Sequence, residues 1–207
     1  MVVCVIGLGS MGKRRIRLLK EYNNIEIVGI DSNEGRCKEA SDQYGISSFN
    51  SLEDALSLGN LTAAFVCTSP LSHASIITEC LENNLHVFTE INLVQDGYED
   101  NMKLAKERGL VLFLSSTFLY RKEPQYIINR VKDNTSNLNY IYHVGQYLPD
   151  WHPWENYNDF FVSNPRTNGC REIFAIELPW IISCFGNITD VTVLKGKISN
   201  LNVNYND

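Results

Sequence analysis

The stretch Val2-Val3-Cys4-Val5-Ile6-Gly7-Leu8-Gly9-Ser10-Met11-Gly12 carries five apolar residues directly into G-x-G-x-x-G. An amphipathic segment follows at once. The next apolar run, Ile25-Glu26-Ile27-Val28-Gly29-Ile30, then ends on the acidic Asp31. Strand, glycine loop, helix, strand and acid in this order form a dinucleotide-binding pattern in which each part has a physical job. Gly7 permits the tight turn out of the strand. Gly9 lets the backbone approach a pyrophosphate, and Gly12 lets the helix lie close on the sheet. The free N–H groups of the helix start, at Ser10 and Met11, face the phosphates. Asp31 would accept hydrogen bonds from the adenosine ribose. Its charge favours NAD, because a carboxylate repels a 2′-phosphate, while Ser32 and Arg36 leave room for NADP.

The bulk numbers place this loop in an ordinary globular chain. At 207 residues, 44% hydrophobic and 20% charged, the sequence can bury a real core in one or two domains. A net charge of −6 gives no electrostatic reason to expect nucleic acid or an anionic membrane as partner. One basic run, Lys13, Arg14, Arg15, Arg17 and Lys20, reads as a solvated helix face, with Arg14 or Arg15 near enough to assist cofactor phosphates. The six cysteines show no C-x-x-C and no metal-type spacing with histidine, so no metal site is expected. No signal peptide precedes the first strand and no apolar run is long enough to span a bilayer, so the chain reads as cytoplasmic.

Strand and helix patterns alternate through the first half. Helices are expected over 33–44, 51–57, 72–82 and 96–108, with Ser51 and Ser72 as N-caps and Asp54 at the capping-box position. Strands are expected over 63–67, 86–88 and 110–114. The fold class is therefore α/β, an N-terminal Rossmann doubly wound parallel sheet, followed by an α+β domain. The second part has a helix over 123–131, a long strand over 139–148, an aromatic loop over 149–168, a helix over 170–185 and a strand over 188–199. Domain boundaries are set at 1–118 for dinucleotide binding and 119–207 for substrate and oligomerisation. The second domain is expected to be incomplete, in a shortened chain or a fragment, because its strands are still being laid down where the sequence stops.

These motifs resemble the Gfo/Idh/MocA family of glucose-fructose oxidoreductase and inositol dehydrogenase. Besides the opening loop and Asp31, Cys67-Thr68-Ser69-Pro70-Leu71-Ser72-His73 is similar to the family's T-P-x-x-H stretch. His86-Val87-Phe88-Thr89-Glu90 is similar to the strand entering its E-K-P motif, and the helix ending at Phe185-Gly186 fits its second domain. The resemblance implies hydride transfer between nicotinamide and a sugar, nucleotide sugar or related polyol. It implies cofactor contacts from Thr68, Ser69, Pro70, His73 and Glu90. It also implies substrate contacts near Tyr120 and Arg121, and a homo-oligomer formed through the second domain.

The chain departs from that family in its proton-handling groups. Where the family has lysine, the sequence reads Glu90-Ile91-Asn92, and Ile91 can neither donate nor accept a proton. Asn92 could orient a substrate hydroxyl. The histidine and aspartate of the second-domain helix fall on Ile176 and Pro179. The remaining candidates for proton transfer are His152, Glu177 and Tyr120. Glu177 is the lone carboxylate of an apolar helical run and needs a partner, such as Arg121 or Arg171, or a proton. The loop around Trp151, His152 and Trp154 suits a sugar ring, whose C–H face stacks on aromatics; the same tryptophans could equally pin the loop. A cofactor-binding protein without redox catalysis is the alternative reading, with Ile91 as its support.

Overall fold

The computed structural model describes residues 1–134 and 136–206. The chain divides into two compact units, Met1–Ser115 and a second one beginning at Ser116.

In the first unit, six strands form one parallel sheet in the order β3-β2-β1-β4-β5-β6. These are β1 (Val2–Ile6), β2 (Glu26–Ile30), β3 (Ser47–Phe49), β4 (Leu61–Val66), β5 (His86–Thr89) and β6 (Leu112–Leu114). All registers are parallel, with Cys4 opposite Val28 on one side and Ala64 on the other. Crossovers are made by α1 (Ser10–Leu19), α2 (Glu34–Tyr44), α3 (Leu52–Leu56), α4 (His73–Glu82) and α5 (Tyr98–Glu107). β1 is buried along its whole length, and successive side chains alternate between two cores. Val3 and Val5 pack with Ile16, Leu19 and Ala40 of α1 and α2. Cys4 and Ile6 pack with Leu52, Ile77, Cys80 and Ala105 of α3, α4 and α5. This is the doubly wound sheet expected from the alternation of patterns.

Local signals explain most helix ends. The Asn33 side chain accepts from Arg36 N–H, and Gly45 closes α2 with a left-handed φ of 62°. The Ser51 side chain accepts from Asp54 N–H at 3.1 Å and donates to its carboxylate at 2.6 Å. Ser72, expected to cap α4, does not cap it. Pro70 starts a 3-10 turn (Pro70–Ser72) that runs straight into α4. Ser72 therefore already has helical backbone, and its hydroxyl donates to Ser69 O and Thr68 Oγ1.

The second unit holds α6 (Lys122–Lys132), three 3-10 turns between 148 and 163, and α7 (Gly169–Phe185). Residues 139–148 and 188–199 were expected as strands, but neither stretch pairs into a ladder. A two-residue alternation shows that one face is apolar, whereas a strand also needs a neighbour for its N–H and C=O groups. The apolar face of the first stretch goes elsewhere. Tyr140 and Tyr142 stack on each other and meet the edge of Trp180 on α7, and Tyr140 also meets Phe185. A second small core joins Leu148, Val162 and Val203.

Candidate active site

The carboxyl ends of β1, β2 and β4 open onto a cleft of about 540 Å³, lined among others by Gly7, Gly9, Asp31, Ser32, Arg36, Thr68 and Ser69. Two glycines of the loop that floors it, Gly7 and Gly12, admit no side chain. Gly7 has φ +93°, and a Cβ there would lie 2.8 Å from the Cys67 carbonyl. A Cβ on Gly12 would lie 1.9 Å from the Gly7 carbonyl oxygen. Gly9 is different: nothing lies within 4 Å of where its Cβ would be, so its outer face is open to a ligand. No side chain caps α1, and its first turn contains no acid. The amides around Ser10 and Met11 thus form a bare, positively polarised helix end beside open space, which fits an anionic pyrophosphate.

Asp31 is buried at the end of β2. Its Oδ2 accepts from Leu8 N–H at 2.8 Å and its Oδ1 from Asn33 N–H at 2.9 Å. Each carboxylate oxygen keeps a second acceptor direction, so the group is oriented without being used up. Arg36 Nη1 lies 3.6 Å from Oδ2, on the exposed side. Asn50 and Ser51 also line this end of the cleft. They escaped the sequence reading because β3, the strand that delivers them, is only three residues long.

Two buried polar groups serve the cleft from behind. His73 is 2% exposed. Its Nε2 lies 2.9 Å from the Thr68 carbonyl oxygen, and its Nδ1 lies 2.8 Å from Asn92 Oδ1. His73 therefore joins the loop after β4 to the loop after β5 and reaches the cleft through Thr68. Glu90 accepts from Arg15 Nε at 2.5 Å, with Cys67 Sγ 4.0 Å from the same oxygen. Arg15, weighed above as a phosphate helper, is committed to this carboxylate. Burial pushes the Cys67 thiol well above its ordinary range, with the Glu90 charge adding to the effect.

The chain belongs to the Gfo/Idh/MocA oxidoreductase family. Residues 1–116 match the family model described as an oxidoreductase family with an NAD-binding Rossmann fold. A 4-carboxy-2-hydroxymuconate-6-semialdehyde dehydrogenase from Sphingobium sp. is 31% identical over 136 residues, covering 63% of this chain and 43% of the relative. A myo-inositol 2-dehydrogenase from Thermotoga maritima is 28% identical over 117 residues, covering 55% and 35%. The structure of the WlbA dehydrogenase from Bordetella pertussis in complex with NADH and UDP-GlcNAcA superposes with a TM-score of 0.59. It is 22% identical and covers 63% of this chain and 42% of that one, which shows a shared fold. The matches span less than half the length of these relatives. The first unit is thus the family's NAD-binding Rossmann fold.

The other predicted residues lie in the second unit. Glu177 is buried on α7 and accepts from the Trp180 indole N–H at 2.6 Å. Tyr142 donates to it as well; desolvation and this hydrogen bond push the phenol up to about 12. The tyrosine and the tryptophan thus take the place expected for an arginine. His152 Nδ1 lies 2.5 Å from Glu155 Oε1, and its ring is stacked between Trp154 and Phe160. Trp154 is 71% exposed and Tyr120 69%. Trp151 packs against the small core around Leu148. The Arg121 guanidinium lies over the Phe118 ring at 4.1 Å. Among the described residues no group of three or more His, Cys, Asp or Glu is placed to hold a metal ion, and no helix is long and apolar enough to cross a membrane.

Proposed function

We propose that this protein acts as an NAD-dependent oxidoreductase on a CH–OH or carbonyl carbon of a polyhydroxylated, sugar-type substrate. The observation that carries the reading is the cleft itself, where a bare helix start, an open glycine and an oriented Asp31 stand in the order a dinucleotide needs. NAD supplies the hydride acceptor. The chain's own residues bind it: Gly7, Gly9, Ser10, Met11 and Gly12 at the pyrophosphate, Asp31 and Ser32 at the adenosine ribose, and Thr68, Ser69, Pro70 and Glu90 toward the nicotinamide. Arg36 lies beside Asp31 and lessens its negative field, which keeps NADP a weaker second choice.

Proton transfer cannot use position 91, so the role passes to His152. Its Nδ1 faces Glu155, which holds the tautomer that leaves Nε2 as the acceptor. Trp154 offers an exposed aromatic face for a sugar ring. Glu177 and Tyr120 fit the role less well: the first is occupied by two donors, and the second is 69% exposed to solvent. The test is NADH formation at 340 nm against a panel of myo-inositol, glucose and UDP-linked sugars. Turnover that falls about 100-fold in His152→Gln with KM little changed supports the reading. Tight NAD binding without turnover on any substrate would favour the alternative, a cofactor-binding protein without redox catalysis. The observation behind that alternative is Ile91, and Ile91→Lys would then be the variant to assay for gained activity.

A further inference from the structure

Arg15 sits one helical turn beyond Gly12, and its side chain makes three contacts at once. Its Nε donates to Glu90 Oε1, its Nη2 donates to Ser115 Oγ at 3.3 Å, and its guanidinium lies 4.7 Å from the centroid of the Phe88 ring. One planar group therefore ties α1 to the carboxyl ends of β5 and β6. A lysine, with a single compact ammonium, could not make the same three contacts. Both partners of the ion pair are largely shielded, at 16% and 12% side-chain exposure. Glu90 in turn lies against Cys67, which lines the cofactor cleft.

The strand order says which half of the cofactor this pair meets. Asp31 marks the adenosine ribose at the end of β2, and the start of α1 marks the pyrophosphate beyond β1. Continuing in the same direction along β3-β2-β1-β4-β5-β6, the next carboxyl ends are those of β4 and β5. The nicotinamide half therefore lies on the side where Glu90 stands. The oxidised nicotinamide ring carries a positive charge and the reduced ring is neutral. A bare carboxylate there would favour the oxidised form, and a bare guanidinium the reduced one.

We propose that Arg15 is a positioning residue that holds Glu90 as half of a net-neutral pair, so that the cleft binds NAD+ and NADH without charge bias. The proposal rests on the dinucleotide reading of the cleft. It is tested by titrating the full chain with NAD+ and with NADH in a calorimeter, comparing wild type with Arg15→Met, Glu90→Gln and the double variant. Arg15→Met should raise the preference for NAD+ over NADH about tenfold, the size expected of one unit charge about 10 Å away in a partly screened site. Glu90→Gln should move the preference about tenfold the other way. The double variant should return to within about twofold of wild type, since both charges are gone. If Arg15→Met fails to fold, Glu90→Gln and the double variant carry the same test. A purely structural Arg15 would weaken both cofactors alike, and unmoved ratios in all variants would overturn the proposal. Wild type that binds neither cofactor would instead overturn the dinucleotide reading and take this proposal with it.

Discussion

Single atoms decide what the glycine loop tolerates. A methyl group on Gly12 would meet the Gly7 carbonyl oxygen at 1.9 Å, a contact that only backbone movement can relieve. Gly12→Ala is therefore expected to cost about 3 kcal/mol in a urea melt and to weaken NAD binding. Gly9→Ala should leave the melt nearly unchanged, because nothing lies within 4 Å of the added carbon, yet still weaken NAD binding by filling the space over the helix start. The pair separates a glycine kept for packing from one kept for a ligand. Thiol reactivity gives a second residue-level test. Cys4, Cys37, Cys67, Cys80 and Cys184 are buried, whereas Cys170 is exposed. Burial pushes the Cys4 thiol up to about 12 and raises those of Cys67 and Cys80 further. A disulfide reagent at pH 8 should modify Cys170 promptly and the buried five only on the timescale of unfolding.

At the scale of elements, α7 carries two carboxylates with opposite circumstances. Glu177 is satisfied by Trp180 and Tyr142, so Trp180→Phe removes one donor and should cost about 1–3 kcal/mol. Glu172 has a buried Oε2 with no hydrogen-bond partner, and desolvation pushes its carboxyl up to about 7. A raised folded-state value means that the native state holds the proton more tightly than the unfolded chain does. Its contribution to stability is thus fully present below the unfolded value near 4.5 and is lost as pH rises through about 7. Glu172→Gln should flatten this part of the profile and stabilise the protein at pH 8 by about 2 kcal/mol, read as the difference between paired denaturation curves at pH 4.5 and 8. The same element scale shows what could be read from residues alone. Strands β1 and β2 were legible because a parallel strand buried on both faces writes a continuous apolar run, and Gly7 marks where the chain leaves the first. Residues 139–148 and 188–199 were misread because alternation is a local property and pairing is not. The Ser72 misreading has a similar origin, since a residue that suits a cap still follows the backbone that Pro70 imposes.

Across the whole molecule, the residues proposed to recognise the cofactor all come from the first unit, while the candidates for proton transfer come from the second. The cofactor end was legible because turn glycines and the strand-end acid Asp31 follow from short-range spacing. The Arg15–Glu90 pair was not, since its partners are 75 residues apart and meet only once the sheet order is known. Likewise Tyr142 is brought to Glu177 by a packing choice that no local pattern announces. Because NAD binds the folded first unit, it should raise that unit's stability by about 2.7 kcal/mol at a free concentration of 100 times Kd, seen as a rise in Tm.

The measurement that tests the central claim most directly is a calorimetric comparison of NAD+ and NADP+ binding to the full chain and to Asp31→Asn. The structure predicts one site that binds NAD+ at least about tenfold tighter than NADP+, a difference of about 1.4 kcal/mol, and a preference largely lost when the charge at Asp31 is removed. Wild type that binds neither nucleotide, or that keeps the same preference without the Asp31 charge, would contradict it.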